Sequence, residues 1–160
     1  MTARLGEGKA AEPTNLDQVG DIYRALVLGV KDYFRKNRFT DAVIGLSGGI
    51  DSSLVAAIAV DALGAQRVHG VAMPSRYSSE GSITDTEALA ARLGVAWETI
   101  AIEPGHVAFT EMLCTSLGGA PQGLTDENLQ SRLRGVTLMA LSNAKGWIVL
   151  TTGNKSELAT

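Results

Sequence analysis

Apolar positions along the chain change period several times, and each change marks an element. From Leu16 onward Val19, Ile22, Tyr23, Leu26, Val30, Tyr33 and Phe34 recur at three and four residues, the spacing of an amphipathic helix. Thr14 or Asn15 is placed to cap this helix and Asn37 to end it in a left-handed conformation. Beyond it, short β-branched runs alternate with helical spacing. Strands are expected at 42–46 (AVIGL), 67–73 (RVHGVAM), 96–102 (AWETIAI) and 147–152 (WIVLTT). Helices are expected from Asp51 to Leu63, about Ser82 to Leu93, about Pro104 to Leu117 and Asp126 to about Lys145. Gly64, Gly94 and Gly146 each fall between a helical segment and an apolar run, where a residue free to adopt positive φ closes the helix.

Strands alternating with helices imply an α/β fold, a doubly wound parallel sheet with helices on both faces. Ligands of such sheets sit beyond the carboxyl ends of the strands, so 47–52, 73–79 and 152–157 share one rim. Residues 1–13 (MTARLGEGKAAEP) lack apolar periodicity and are expected to form a flexible tail or linker, with one domain over 14–160. The chain stops at KSELAT, barely one turn into a new helix and too short to stand alone. The expectation is therefore a longer protein whose C-terminal part is missing here.

Composition narrows the class. With 160 residues, 45% hydrophobic and 19% charged, the chain can bury roughly 70% of its unfolded surface in one core. A net charge of −3 argues against nucleic acid as partner, since phosphate backbones call for clustered Lys and Arg. No run approaches the ~20 apolar residues of a membrane span. A single cysteine, Cys114, excludes an internal disulfide framework and, with no apolar signal segment, favours the cytoplasm. Cys114 lies among Met112, Leu113 and Leu117 and is expected to be inert packing; Trp97 and Trp147 are expected in the core.

The chemistry concentrates where GLSGGIDSS (45–53) interrupts an apolar strand and reopens as a helix. No Lys follows the glycines as a Walker loop requires, and the spacing fails the dinucleotide fingerprint G-x-G-x-x-G. GLSGG does satisfy the nucleophile elbow G-x-S-x-G, with Ser47 as nucleophile. That reading must draw its base from His69, inside a strand, or His106, too early in the sheet, and it leaves Asp51 and Ser52 without a role. A phosphate-binding nest uses every residue: the backbone of Ser47, Gly48 and Gly49 curls before a helix N-terminus, and Ser47, Ser52 and Ser53 add hydroxyls. Asp51 would repel phosphate on its own. It either holds Mg²⁺ that bridges phosphate oxygens or caps the helix, and spacing leaves both open.

SGGIDS (47–52), after a strand and opening a helix, resembles the pyrophosphate loop of the N-type ATP pyrophosphatases, with their adenine nucleotide alpha hydrolase-like fold. DENLQSRLRG (126–135) and TTGNKSELAT (151–160) narrow the resemblance to the NAD synthetases. YRALVLGVKDYFRKNRF and MPSRYSS are most similar to the glutamine-dependent type, in which this region follows an amidase domain. The resemblance implies condensation of deamido-NAD with ammonia, driven by ATP through an acyl-adenylate, with release of AMP and pyrophosphate. It implies that Gly45, Leu46, Ser47, Gly48, Gly49, Ile50, Asp51 and Ser52 cradle ATP, with Mg²⁺ on Asp51 and Glu157. Thr152 and Met73 would contact ATP, with Arg76 a weaker candidate, and Glu157 would also face the substrate. Asn128 and Arg132, four apart and so on one helical face, would meet deamido-NAD; on spacing alone they are a solvated face. Leu129, Leu133, Val136 and Ala140 form a stripe that is either core or, as the resemblance implies, part of a homodimer interface. No catalytic residue is assigned. The alternatives are a non-catalytic ATP-binding module of the same fold, or another ligase of the superfamily.

Overall fold

The computed structural model describes residues 18–76 and 80–152. Four parallel strands form one sheet in the order β3-β2-β1-β4. The strands are β1 (Ala42–Leu46), β2 (Val68–Ala72), β3 (Ala96–Thr99) and β4 (Ile148–Leu150). Between them lie α1 (Gln18–Asn37), α2 (Ile50–Leu63), α3 (Glu80–Leu93), α4 (Glu103–Leu117) and α5 (Leu124–Lys145). The expected elements are all present, and the strands at 96–102 and 147–152 are shorter than their apolar runs. Beyond β3 the pairing persists through single bonds, Ile100 N to Ala72 O and Ile102 N to Pro74 O.

β1 is central, paired with β2 through Ala42↔Val68 to Leu46↔Ala72 and with β4 through Ala42↔Ile148 to Ile44↔Leu150. Burial on both faces explains its unbroken apolar sequence. Ile44 and Leu46 pack with Val68 against Ala56 and Ala59 of α2, joined by Leu89 and Leu93 of α3. Val43, Val71 and Met73 pack on the other face against Leu133, Leu138 and Leu141 of α5. Alanines at 56 and 59 let α2 lie close to the sheet. Trp97 joins the first cluster; Trp147 joins the second and also stacks on His69, with ring centroids 3.8 Å apart.

Several boundaries and faces differ from the sequence pattern. α1 ends at Asn37, but the left-handed residue is Arg38 (φ 60), while the Asn37 amide donates to Tyr33 O at 2.8 Å. Thr14, Asn15 and Leu16 lie outside the described residues. On α1 only Phe34 is fully buried, and Val19, Ile22 and Leu26 are exposed. The helix is held to α2 by the Tyr23 hydroxyl on Asp61 (2.7 Å), which raises the Tyr23 pKa. The stripe expected on α5 is rotated: Leu133 packs inward, but Val136 and Ala140 are exposed, and Gln130, Thr137, Leu138 and Leu141 complete the inner face. Cys114 is exposed rather than packed. Gly64, Gly94 and Gly146 have φ of 89°, 68° and 72°, as their position between helix and strand requires.

At the amino ends of the strands Asp41 joins three of them. Its carbonyl accepts from Ile148 N at 2.9 Å, and its carboxylate lies 3.0 Å from His69 Nε2. The Thr40 hydroxyl, and then His69, hold the Asp41 carboxyl below its ordinary 3.8. A depressed carboxylate contributes stability above its unfolded pKa and loses it as pH falls through the folded value. Asp41→Asn is therefore expected to destabilise at neutral pH, with the difference from wild type in urea midpoint vanishing as pH drops below 3.8. A constant difference across that range would mean the carboxylate charge is irrelevant. Ile44, fully buried between α2 and the sheet, sets the second expectation. Ile44→Ala should cost about 2–5 kcal/mol by denaturant unfolding, and a loss below about 1 kcal/mol would contradict the described core.

Candidate nucleotide site

β2 lies on one side of β1 and β4 on the other, so successive connections diverge at the carboxyl end of β1. That switch point opens a crevice in parallel sheets. Here it is a cleft of about 480 Å³ whose walls include Gly45 and Leu46 at the end of β1, Ser47 after it, Met73 after β2, Arg134 on α5 and Thr152 after β4.

The loop leaving β1 is shaped by its own glycines and serines. Gly48 has φ 76, and a Cβ there would stand 2.8 Å from the Ser82 carbonyl oxygen. Both the dihedral and the close approach exclude a side chain. Gly49 is the N-cap of α2 and supplies no side-chain bond. Ser52, 2% exposed, and Ser53 each donate a hydroxyl to Gly49 O at 2.9 Å. The Ser47 and Ser52 hydroxyl oxygens are 3.2 Å apart, and Gly49 N donates to Ser47 Oγ at 3.3 Å. Two of the three serines expected to donate outward thus brace the turn instead. The first intrahelical bond of α2 is Ser53 N to Gly49 O. The amides of Ile50, Asp51 and Ser52 precede it and lack intrahelical acceptors, which with the helix dipole makes this end a receptor for anions.

Asp51 is not the cap. Gly49 occupies that position, and Asp51 stands exposed in the first turn with no bond to the described residues. Of the two roles left open for it, capping is not realised. The hydrolase arrangement is not formed either. Ser47 neighbours a serine, while His69 is bonded to Asp41 and His106 to Asp126.

Gly45, Leu46, Ser47, Met73 and Thr152 all reach the cleft, and a Cβ on Gly45 would crowd Met73 Cε at 3.1 Å. Arg76 is not among the lining residues. Its guanidinium is paired with Glu103, Nε to Oε1 at 2.8 Å, and this pairing holds the Glu103 carboxyl below its usual range. Asn128 and Arg132 share a face, joined by a 3.1 Å bond from Arg132 to Asn128 Oδ1, but both are exposed and outside the cleft lining. Glu157 lies outside the described residues, as do 77–79 and 153–156 of the expected rim.

Sequence reasoning missed Arg134. Its Nε donates to Met73 O at 3.2 Å, it lines the cleft, and burial lowers its pKa. One signal was present: Arg134 falls four after Gln130 and one before Gly135, on the inward face of α5, whereas Arg132 points outward. Thr86, 1% exposed, and Ser82 form the α3 wall. No group of three or more His, Cys, Asp or Glu among the described residues could enclose a metal, and no helix among them is long and apolar enough to cross a membrane.

Comparison with known proteins places this arrangement. The NAD synthase family profile matches residues 22–160. Glutamine-dependent NAD(+) synthetases of Rhodobacter capsulatus and Thermotoga maritima are 57% and 54% identical over 143 and 140 residues. Each alignment covers 88% of this chain but only 26% and 24% of the relative, so the chain spans about a quarter of their length. Among solved structures, the glutamine-dependent NAD+ synthetase from Acinetobacter baumannii in complex with ADP superposes with a TM-score of 0.89 at 44% identity, covering 94% of this chain and 28% of that one. The NH3-dependent NAD synthetase from Campylobacter jejuni, in complex with nitrate, gives 0.78 at 28% identity, covering 89% and 60%. With a family profile spanning the sheet, the glycine loop and α5, the chain belongs to the NAD synthase family.

Proposed function

We propose that this chain is the ATP-binding part of the synthetase region of a glutamine-dependent enzyme that amidates deamido-NAD. The observation that carries the reading is the SGGIDS loop, braced by its own serines at the switch point of the sheet, in a chain of this family. The free amides of Ile50 to Ser52 receive the phosphates. Ser47, next to that helix end, borders the cleft, whose lining does not include 48–52, and Met73 and Thr152 flank the nucleoside side. Arg134 adds a fixed positive charge to the wall.

The nicotinate carboxylate attacks the α-phosphorus of ATP, and pyrophosphate departs. Ammonia then adds to the acyl carbon, and AMP leaves with one former carboxylate oxygen. The chain's residues hold and orient: the helix dipole and loop amides stabilise the pyrophosphate charge as it develops. Asp51 fits a hard cation, since its carboxylate is exposed and unbonded, and Mg²⁺ characteristically takes one or two carboxylates plus substrate phosphates. Bound there with Glu157, Mg²⁺ would offset phosphate charge. Asn128 and Arg132 present a carbonyl oxygen and a guanidinium to deamido-NAD on the outward face of α5. Val136 and Met139, 66% and 51% exposed on that helix, support a homodimer contact beside it. Ammonia would come from an amidase domain in the longer protein, working in the cytoplasm.

The test of the reading is product analysis in the full-length protein supplied with ATP, deamido-NAD and ammonia. AMP and pyrophosphate in equal amounts with NAD support it; ATP binding with no AMP would leave a nucleotide-binding module. Gly48→Ala should weaken ATP binding at least about tenfold, because a left-handed alanine costs roughly 1–2 kcal/mol and its methyl meets the Ser82 carbonyl. Unchanged affinity by calorimetry would show the loop does not bind nucleotide. Asp51→Asn should weaken ATP binding when Mg²⁺ is present and leave metal-free binding within about twofold. Equal loss in both conditions would remove the metal role.

A further inference from the structure

A buried polar cluster between α4 and α5 takes no part in the cleft walls near the loop. His106, in the opening turns of α4, is 4% exposed, and its Nε2 lies 2.6 Å from Asp126 Oδ1. The other carboxylate oxygen accepts from the Gln130 amide at 2.9 Å, and Gln130 is itself 8% exposed. With the carboxylate as acceptor, Nε2 carries the proton, and both oxygens of Asp126 are committed.

The placement of this cluster gives it leverage. α5 begins after Gly123, which has φ 54 and supplies no side-chain cap. A first turn without a cap has unsatisfied amides and frays. Asp126 is in that turn; Gln130 holds it from within α5, and His106 holds it from α4. Two turns further, Arg134 ties α5 to Met73 O. Asn128 and Arg132 stand on the outward face between these two anchors. The start of α4 is itself held, since Glu103 receives the Arg76 side chain and the Arg76 amide (3.2 Å) from the segment after β2. The first turns of α4 therefore form a strut, with Glu103 held to the segment after β2 and His106 to α5.

We propose that His106 is a positioning residue for the dinucleotide end of the site: through Asp126 it sets the rotation of the first turns of α5, and so where Asn128 and Arg132 stand. The inference rests on the reading that this pair meets deamido-NAD. It differs from simple packing because the anchor is directional, one bond at one edge of a helix whose opposite edge carries the contact. Small displacements of a binding pair cost disproportionately in productive geometry.

Steady-state kinetics of the full-length protein, varying deamido-NAD and ATP separately, test it. His106→Leu should raise KM for deamido-NAD roughly tenfold or more and leave KM for ATP within about twofold. His106→Gln, whose side-chain amide can donate to Asp126, should recover most of the loss. Thr110→Val, one turn along α4 where the buried Thr110 hydroxyl has no partner among the described residues, should leave both constants unchanged. If His106→Leu does not fold, as judged by its melting curve, His106→Asn serves in its place, being too short to reach Asp126. Unchanged KM for deamido-NAD, an equal rise in both constants, or no recovery with Gln overturns the inference alone, provided wild type makes NAD. Failure of wild type to make NAD overturns the underlying reading and the inference with it.

Discussion

The site depends on how the central strand ends. β1 is buried at Ala42, Val43, Ile44 and Leu46, with Gly45 half-buried at the cleft, and the chain must turn from it directly into α2 at the point where the sheet divides. A turn that tight needs positive φ at Gly48 and room for its backbone against Ser82. Once made, it leaves the first amides of α2 without intrahelical acceptors, at the positive end of a helix packed on the core through Ala56 and Ala59. Burial of β1 fixes the position of the loop, glycine permits its path, and the serines hold it in that path. Those three facts give the loop the form that binds phosphate in the proposed reading, with little further help from side chains.

The two ends of the strands are built differently, and for different purposes. At the amino ends, Asp41, His69 and Trp147 lock neighbouring strands by hydrogen bonding and stacking. At the carboxyl ends Leu46, Ser47, Met73, Leu150 and Thr152 border the cleft. α5 links the core to the rim: Leu133, Leu138 and Leu141 pack on the sheet while Arg134 reaches the cleft. The same inward face of α5 thus serves both the core and the cleft wall.

Much of this was legible in the sequence because β1 and its loop obey strong local rules. A doubly buried strand reads as a continuous apolar run, and only a few backbone paths join it to a helix through Ser-Gly-Gly. The rotation of α5 was not legible. Its apolar residues are spread around the helix, so Leu129, Leu133, Val136 and Ala140 looked like a stripe, while the sheet selected Leu133, Leu138 and Leu141. That rotation carried Arg134 inward and left Arg132 outside. Arg76 was read toward ATP but found Glu103, a long-range partner invisible to local pattern. Cys114 showed the same limit: apolar neighbours in sequence did not become neighbours on the inner face of α4. The role of Glu157 remains a proposal, resting on the resemblance of TTGNKSELAT.

In the proposed reaction the loop presents the α-phosphorus of ATP to a carboxylate. Deamido-NAD labelled with ¹⁸O in its nicotinate carboxylate tests it most directly, in the full-length protein with ATP and ammonia. The account predicts that one labelled oxygen appears in the phosphate of AMP, read by mass spectrometry or ³¹P NMR. AMP without label, or label in inorganic phosphate with release of ADP, would contradict it.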